Sequence, residues 1–222
     1  MTRWLPLTAV GVALFLVSGA LVAGAAANDA QPEFKYRAYA PEITREEVPP
    51  TPTPVPLPVP YNGPVAALHL AAAKLDAAWP VEVRDTYFAG GREFFEDPSA
   101  PQKIAWYSRF GQPGYMGANS IFAAHIDYVG FGKGPFGYLT SASVGDALYL
   151  TMDNGTSYTY TVRSVAVVGL QDLDMDATVF PVLAAGVERV TLISCGGTFV
   201  PYPGGGGEYT SRVILVAERY VN

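Results

Sequence analysis

The sequence predicts a mostly β fold, an antiparallel barrel or sandwich, for the chain from residue 61 onward. Three observations predict it. Fourteen Tyr and eleven Phe tilt the composition toward strands. Asp153-Asn154-Gly155 separates two β-rich runs, and Asn-Gly in that setting is a strong hairpin signal. Several short apolar or alternating runs stop at Gly or Asp, as strands do.

The elements follow in chain order. Leu5 to Ala27 carries no charge and follows Arg3. A spanning helix needs ~20 apolar residues and a secretory core only ~7–15. The stretch fits a membrane anchor over residues 1–27, with the N-terminus in the cytoplasm and the rest outside. Ala23-Gly24-Ala25-Ala26-Ala27 also resembles a cleavage site, which leaves a cleaved signal peptide as the alternative. Residues 28–60 read as an extracellular linker. Pro49 to Pro60 holds seven prolines in twelve residues and favours a stiff polyproline II spacer of ~3.1 Å per residue. An SH3-type ligand is the other reading, disfavoured outside the cell.

Residues 61–222 form the domain. Ala71 to Ala78 has helical propensity, weakened by Pro80. Asn119 to Ile126 is an apolar run bounded by Gly117 and Asp127. Ala147 to Met152 and Ser157 to Val168 flank the predicted hairpin turn. A short helix is expected within Asp176 to Ala185. Arg189 to Cys195 alternates and is expected to end at Gly196-Gly197. Ser211 to Tyr220 is the last strand, and Gly204 to Gly207 loosens the loop before it.

Composition excludes several functions. Half the residues are apolar and 15% are charged, enough for a packed core. The net charge of −6 argues against nucleic acid, which needs a basic face. One cysteine, Cys195, excludes an internal disulfide and a multi-cysteine zinc site. Two histidines, His69 and His125, exclude a His-rich metal centre. The Gly204–Gly207 run lacks the Lys-Ser/Thr of a phosphate loop. Asp172, Asp174 and Asp176 could hold a cation, but alternating surface carboxylates are more often a solvated face.

The lone Cys195 has two readings. It is a small buried hydrophobe, or a nucleophile placed where Gly196 and Gly197 let a substrate approach. A nucleophilic thiol needs a base or cation beside it. His125, ending an apolar run, is the candidate base, and a structural histidine is its plainer reading. His69 lies in an Ala-rich run and reads as structural. A developing oxyanion needs a donor. Arg212 is the candidate, and an ion pair is its plainer reading. Asp127 shares a strand face with His125, and a turn or backbone-bonding role suits it better than completing a triad.

Taken in this order, the residues resemble those of the sortase family of cysteine transpeptidases. Thr191-Leu192-Ile193-Ser194-Cys195 is similar to the family's TLxTC signature, with Ser194 in place of Thr. Ala124-His125-Ile126-Asp127 is similar to its GH-x-D segment, with Ala124 where Gly is frequent. Arg212 stands on the terminal strand, as the family's arginine does. Trp106-Tyr107, Pro113-Gly114 and Gly145-Asp146 fit the framework. Cys195-Gly196-Gly197-Thr198-Phe199 is most like class F, with classes E and D near.

The resemblance implies a closed antiparallel β-barrel with short helices in its loops, behind an N-terminal transmembrane helix. It implies Cys195 as nucleophile, His125 as general acid and base, and Arg212 as stabiliser of the oxyanion and substrate. Thr191, Ser194, Gly196 and Gly197 would contact substrate. Exported proteins with an LPxTG-like sorting motif would be cut between Thr and Gly. The acyl group would pass to a cell-surface amine, a cell-wall peptide or a pilin lysine. No cofactor is implied, and no calcium motif carries over. A non-catalytic anchored adhesion module is the rival reading. A papain-like protease would place Cys before His, and an L,D-transpeptidase would carry His just before its Cys. Neither order occurs here.

Overall fold

The computed structural model describes residues 59–220. The anchor over 1–27 and the linker as far as residue 58 lie outside the described residues. The twelve strands are β1 (Val65–His69), β2 (Val81–Val83), β3 (Thr86–Ala89), β4 (Arg92–Phe95), β5 (Ile104–Tyr107), β6 (Asn119–Ala123), β7 (Asp127–Tyr128), β8 (Gly132–Lys133), β9 (Ala147–Met152), β10 (Ser157–Gly169), β11 (Val187–Pro201) and β12 (Gly207–Tyr220). One helix, α1 (Met175–Val179), precedes β11.

Eight strands form a single sheet in the order β1-β9-β10-β12-β11-β6-β5-β2. The sheet curls into a nearly closed barrel. Two features correct the expectation of a closed antiparallel barrel. The edge strands β1 and β2 share no ladder, since β2 spans only three residues and follows Pro80, which has no N–H to donate. Two pairs, β11 with β6 and β2 with β5, are parallel.

Local chemistry explains the elements. Gly155 donates to the Met152 carbonyl and Thr156 to the Asn154 side chain, at 3.0 and 2.9 Å. These bonds close the β9–β10 turn where Asn-Gly predicts it. Leu148, Leu150 and Met152 alternate inward and are fully buried. Each stabilises the fold by about 1.5–3 kcal/mol. The helical tendency of Ala71 to Ala78 yields one 3-10 turn, Ala71–Ala73, stopped by Lys74 in the left-handed region at φ 53°. Asp174 caps α1 by accepting from the Ala177 N–H at 2.9 Å.

The core has two parts, one on each face of the sheet. Phe122, Leu192, Val213 and Leu215 point into the barrel. Ile121, Ile193 and Ile214, their neighbours in sequence, point outward and are covered by Val179 of α1. Strand alternation produces this split. At the far end of β11 from Cys195, Glu188 is fully buried. It accepts from the Gly114 N–H at 2.6 Å, from the Tyr160 hydroxyl, and from Arg219 Nε at 2.5 Å.

Candidate active site

Three neighbouring strands bring the site together. In the parallel pair, Ile193 of β11 lies opposite Ala123 of β6. Two residues further along each strand direction stand Cys195 and His125. In the antiparallel pair, Cys195 lies directly opposite Arg212 of β12. His125, just past the end of β6, thus falls near the level of Cys195 and Arg212, with Cys195 between the other two in strand order.

Cys195 has the parity of Ile193, and Arg212 that of Ile214, so the row faces out of the barrel. All three residues line a cavity of about 560 Å³ on that face. Val179 and Phe180 at the end of α1 wall one side, and the β3–β4 hairpin walls another through Phe94 and Phe95. The lining is mainly apolar, with Asp97 among its carboxylates.

Cys195 is half-buried. Burial pushes its thiol above the ordinary range, and nearby Asp97, Asp127 and Glu208 push the same way. The Arg212 guanidinium opposes them. The thiol is thus mostly protonated at neutral pH, and forming the thiolate depends on its neighbours. Arg212 Nη1 donates to the Ser211 and Tyr209 carbonyls at 3.1 and 3.4 Å, and Nη2 lies 3.5 Å from Glu208. The His125 backbone is held by the Phe136 N–H on its carbonyl at 3.2 Å, and its ring meets Tyr128 edge-on at 5.3 Å.

The other residues singled out in the sequence support this row from behind. Ser194 Oγ donates to the Ala124 carbonyl at 2.9 Å. Thr191 Oγ1 donates to Asn119 Oδ1 at 2.8 Å, and Asn119 Nδ2 donates to the Thr178 and Val179 carbonyls at 3.0 and 3.1 Å. Thr191 is wholly buried and its hydroxyl is spent inside the protein. It fixes the end of α1 and does not line the cavity, unlike the substrate contact that the resemblance implies. Ser194 lines the cavity, while Gly196 and Gly197 do not.

The glycines shape the strand. β11 does not end at Cys195 but runs on to Pro201, with its register against β12 shifting between Gly196 and Phe199. Gly197 has φ +75°, and a Cβ there would come within 2.6 Å of both Thr210 Oγ1 and Ser211 Oγ. The bulge needs glycine, and it turns the distal hairpin beside the cavity. Asp127 bonds a side chain rather than backbone: its two oxygens accept from the Tyr209 hydroxyl at 2.8 and 2.7 Å. His69 lies on edge strand β1 beside Tyr149, on the other side of the sheet order from β11. Asp174 caps α1 and Asp172 accepts from Gln171. Among the described residues no group of His, Cys, Asp or Glu is arranged to hold a metal ion.

Sequence reasoning missed the β3–β4 hairpin and with it Phe94, Phe95 and Asp97. The signal existed in Gly90-Gly91, a two-residue turn between β-rich runs, both glycines having positive φ. It also missed Asn119, whose role depends on α1 packing close by.

Comparison with known proteins shows the family. The sortase-domain family matches residues 79–220. None of the curated proteins matches the chain. Among solved structures, sortase C-1 from Actinomyces oris (formerly Actinomyces naeslundii) is similar at 18% identity, with a TM-score of 0.48, over 70% of this chain and 73% of that one. Streptococcus pneumoniae sortase C is similar at 17% identity, TM-score 0.47, over 70% and 67%. Sortase A from Corynebacterium diphtheriae is similar at 20% identity, TM-score 0.46, over 72% of this chain and 62% of its own.

Proposed function

The chain belongs to the sortase family of cysteine transpeptidases, and from that premise we propose that it cuts an LPxTG-like sorting motif between Thr and Gly and joins the product to a surface amine. The observation that supports this reading is that His125, Cys195 and Arg212 line one cavity.

The Cys195 thiolate attacks the Thr carbonyl carbon and a C–S bond forms. The oxygen becomes an oxyanion facing Arg212, whose charge persists at every working pH. The C–N bond breaks as His125 gives its proton to the departing Gly amine. A thioester remains. An amine then attacks that carbonyl, His125 takes its proton, and the C–S bond breaks to restore the thiolate beside a protonated His125. Water in place of the amine gives hydrolysis. The apolar walls limit that side reaction by excluding water.

The partners on this reading are exported proteins with a C-terminal sorting motif and a cell-wall peptide or pilin lysine as acceptor. The run from Cys195 to Phe199 points to class F, with E and D near. The N-terminal stretch anchors the enzyme in the cell membrane with the catalytic domain outside. No helix among the described residues is long and apolar enough to cross a membrane, so the anchor rests on residues 1–27. Fractionation tests it: full-length protein stays with membranes and is protease-accessible from outside. A soluble form beginning near Asn28 overturns it.

The activity is tested by trapping the acyl-enzyme. Full-length protein in detergent is incubated with LPxTG-like peptides of varied sequence and analysed by mass spectrometry. The expected result is acyl mass on Cys195 with release of the Gly-terminal fragment. No adduct across the series favours a non-catalytic surface module.

A further inference from the structure

The β7–β8 hairpin that follows His125 has few side-chain ties to the main sheet. Strands β7 and β8 pair only with each other, outside the eight-stranded sheet. Local bonds shape this small hairpin: Gly134 N–H donates to the Ile126 carbonyl at 3.0 Å and Phe131 N–H to Tyr128 at 3.0 Å. Among the described residues, the side-chain hydrogen bonds that join residues 127–135 to the main sheet are those from Tyr209 to Asp127. Tyr209 sits on β12, three residues before Arg212, and its main-chain carbonyl accepts from Arg212 Nη1 at 3.4 Å. Its ring meets Phe199 edge-on at 5.3 Å, which anchors it in the hairpin beyond the bulge. One residue thus touches both the arginine and the segment that carries the histidine.

We propose that Tyr209 and Asp127 are a positioning pair that holds His125 at the level of Cys195 and Arg212, acting through the backbone between Asp127 and His125. The inference rests on the transpeptidase reading. The single Tyr209 hydroxyl proton is shared between the two Asp127 oxygens, a charge-assisted bond that is stronger than a neutral one. Burial and the Asp127 carboxylate push the Tyr209 hydroxyl up to about 12. It therefore remains a donor throughout the working range. Proton transfer tolerates little misplacement, since a 1 Å error costs about 10²-fold.

The test compares Y209F, D127A, D127N and the double variant Y209F/D127A with wild type in full-length protein. Y209F keeps the ring on Phe199 and removes only the donor. D127N keeps an acceptor for the hydroxyl and removes the charge. Y209F and D127A should each lower kcat roughly tenfold with KM little changed. D127N should fall less than about threefold, and the double variant should be no worse than the singles.

Alkylation of Cys195 by iodoacetamide at fixed pH is read in parallel. It should slow in Y209F, which leaves the Asp127 charge in place, and Y209F should have no effect in a His125→Ala background. This arm needs no sorting peptide, so it judges the pair even where wild type fails to acylate, a failure that sinks the transpeptidase reading alone. Wild-type kcat and alkylation in Y209F, with only a lower Tm, overturn the proposal and leave a structural clasp. D127N as impaired as D127A overturns it in favour of a direct electrostatic role for the carboxylate.

Discussion

Ser194, the residue before Cys195, donates its hydroxyl to the carbonyl of Ala124, the residue before His125, at 2.9 Å. The nucleophile strand is thereby pinned to the histidine strand one step behind the chemistry. Ser194 is 3% exposed, so water does not readily replace the bond. Ser194→Ala should cost about 1–2 kcal/mol in stability. It should also lower kcat/KM by more than this destabilisation alone produces in folded enzyme. Ser194→Thr retains the hydroxyl and should keep most activity. Urea unfolding and steady-state kinetics on both variants decide the matter.

Cys195→Ala should abolish acyl-enzyme formation and transfer while leaving the melting curve nearly unchanged. The thiol is half-buried and its loss removes little packing. Cys195→Ser should be nearly as inactive, because a serine hydroxyl is a poor nucleophile without a strong base. Transfer above about a tenth of wild type in the alanine variant, far more than loss of an attacking group permits, would falsify the assignment.

Arg212 opposes the forces that hold the Cys195 thiol up. Its removal should raise that thiol further, moving the alkylation profile to higher pH and slowing alkylation at any fixed pH below the plateau. The sign follows from charge: a cation stabilises the thiolate, and losing it favours the neutral thiol. Arg212→Ala should also lower kcat by about 10²–10³ through the lost oxyanion contact. Arg212→Lys should restore the charge effect on the thiol but only part of kcat, since it lacks the planar fork. An unshifted profile together with wild-type kcat in the alanine variant leaves Arg212 as an ion-pair partner of Glu208.

Glu188 offers the opposite case, a buried charge remote from the thiol. Glu188→Ala strands the Arg219 guanidinium and the Tyr160 hydroxyl, and should cost about 3–5 kcal/mol. Cys195 in the folded fraction should alkylate at the wild-type rate. Chemical denaturation and alkylation below the transition check both halves. A variant of wild-type stability would show the network to be incidental.

Five strands of the main sheet were largely legible. β6, β9, β10, β11 and β12 fall on apolar or alternating runs, and Asn154-Gly155 marks the turn between two of them. What pairs with what was not legible. Nothing in a run such as Asn119 to Ala123 states that its partner is β11, or that the two are parallel, because that choice depends on the whole sheet. The cavity walls were hidden for the same reason. Phe180 and Phe94 read only as hydrophobic residues near Pro or Gly, until α1 and the β3–β4 hairpin bring them to one place. The signature drew notice to Ser194 and Thr191, but it could not say that their hydroxyls are used inside the protein. Asp127 shows the same limit, since its partner Tyr209 lies 82 residues away.

The parallel pairing of β6 and β11 also sets when the side chains of the row can come together during folding. The two strands meet across a separation of 70 residues at Ser194 and Ala124, and closing so long a loop delays assembly relative to the β9–β10 hairpin. A chain that stops short of β12 has its sulfur but no guanidinium opposite. A chain that has made its local hairpins but not the long-range ladder has its imidazole but no thiol beside it. The three side chains of the row therefore meet only when the long-range ladders of β11 are complete.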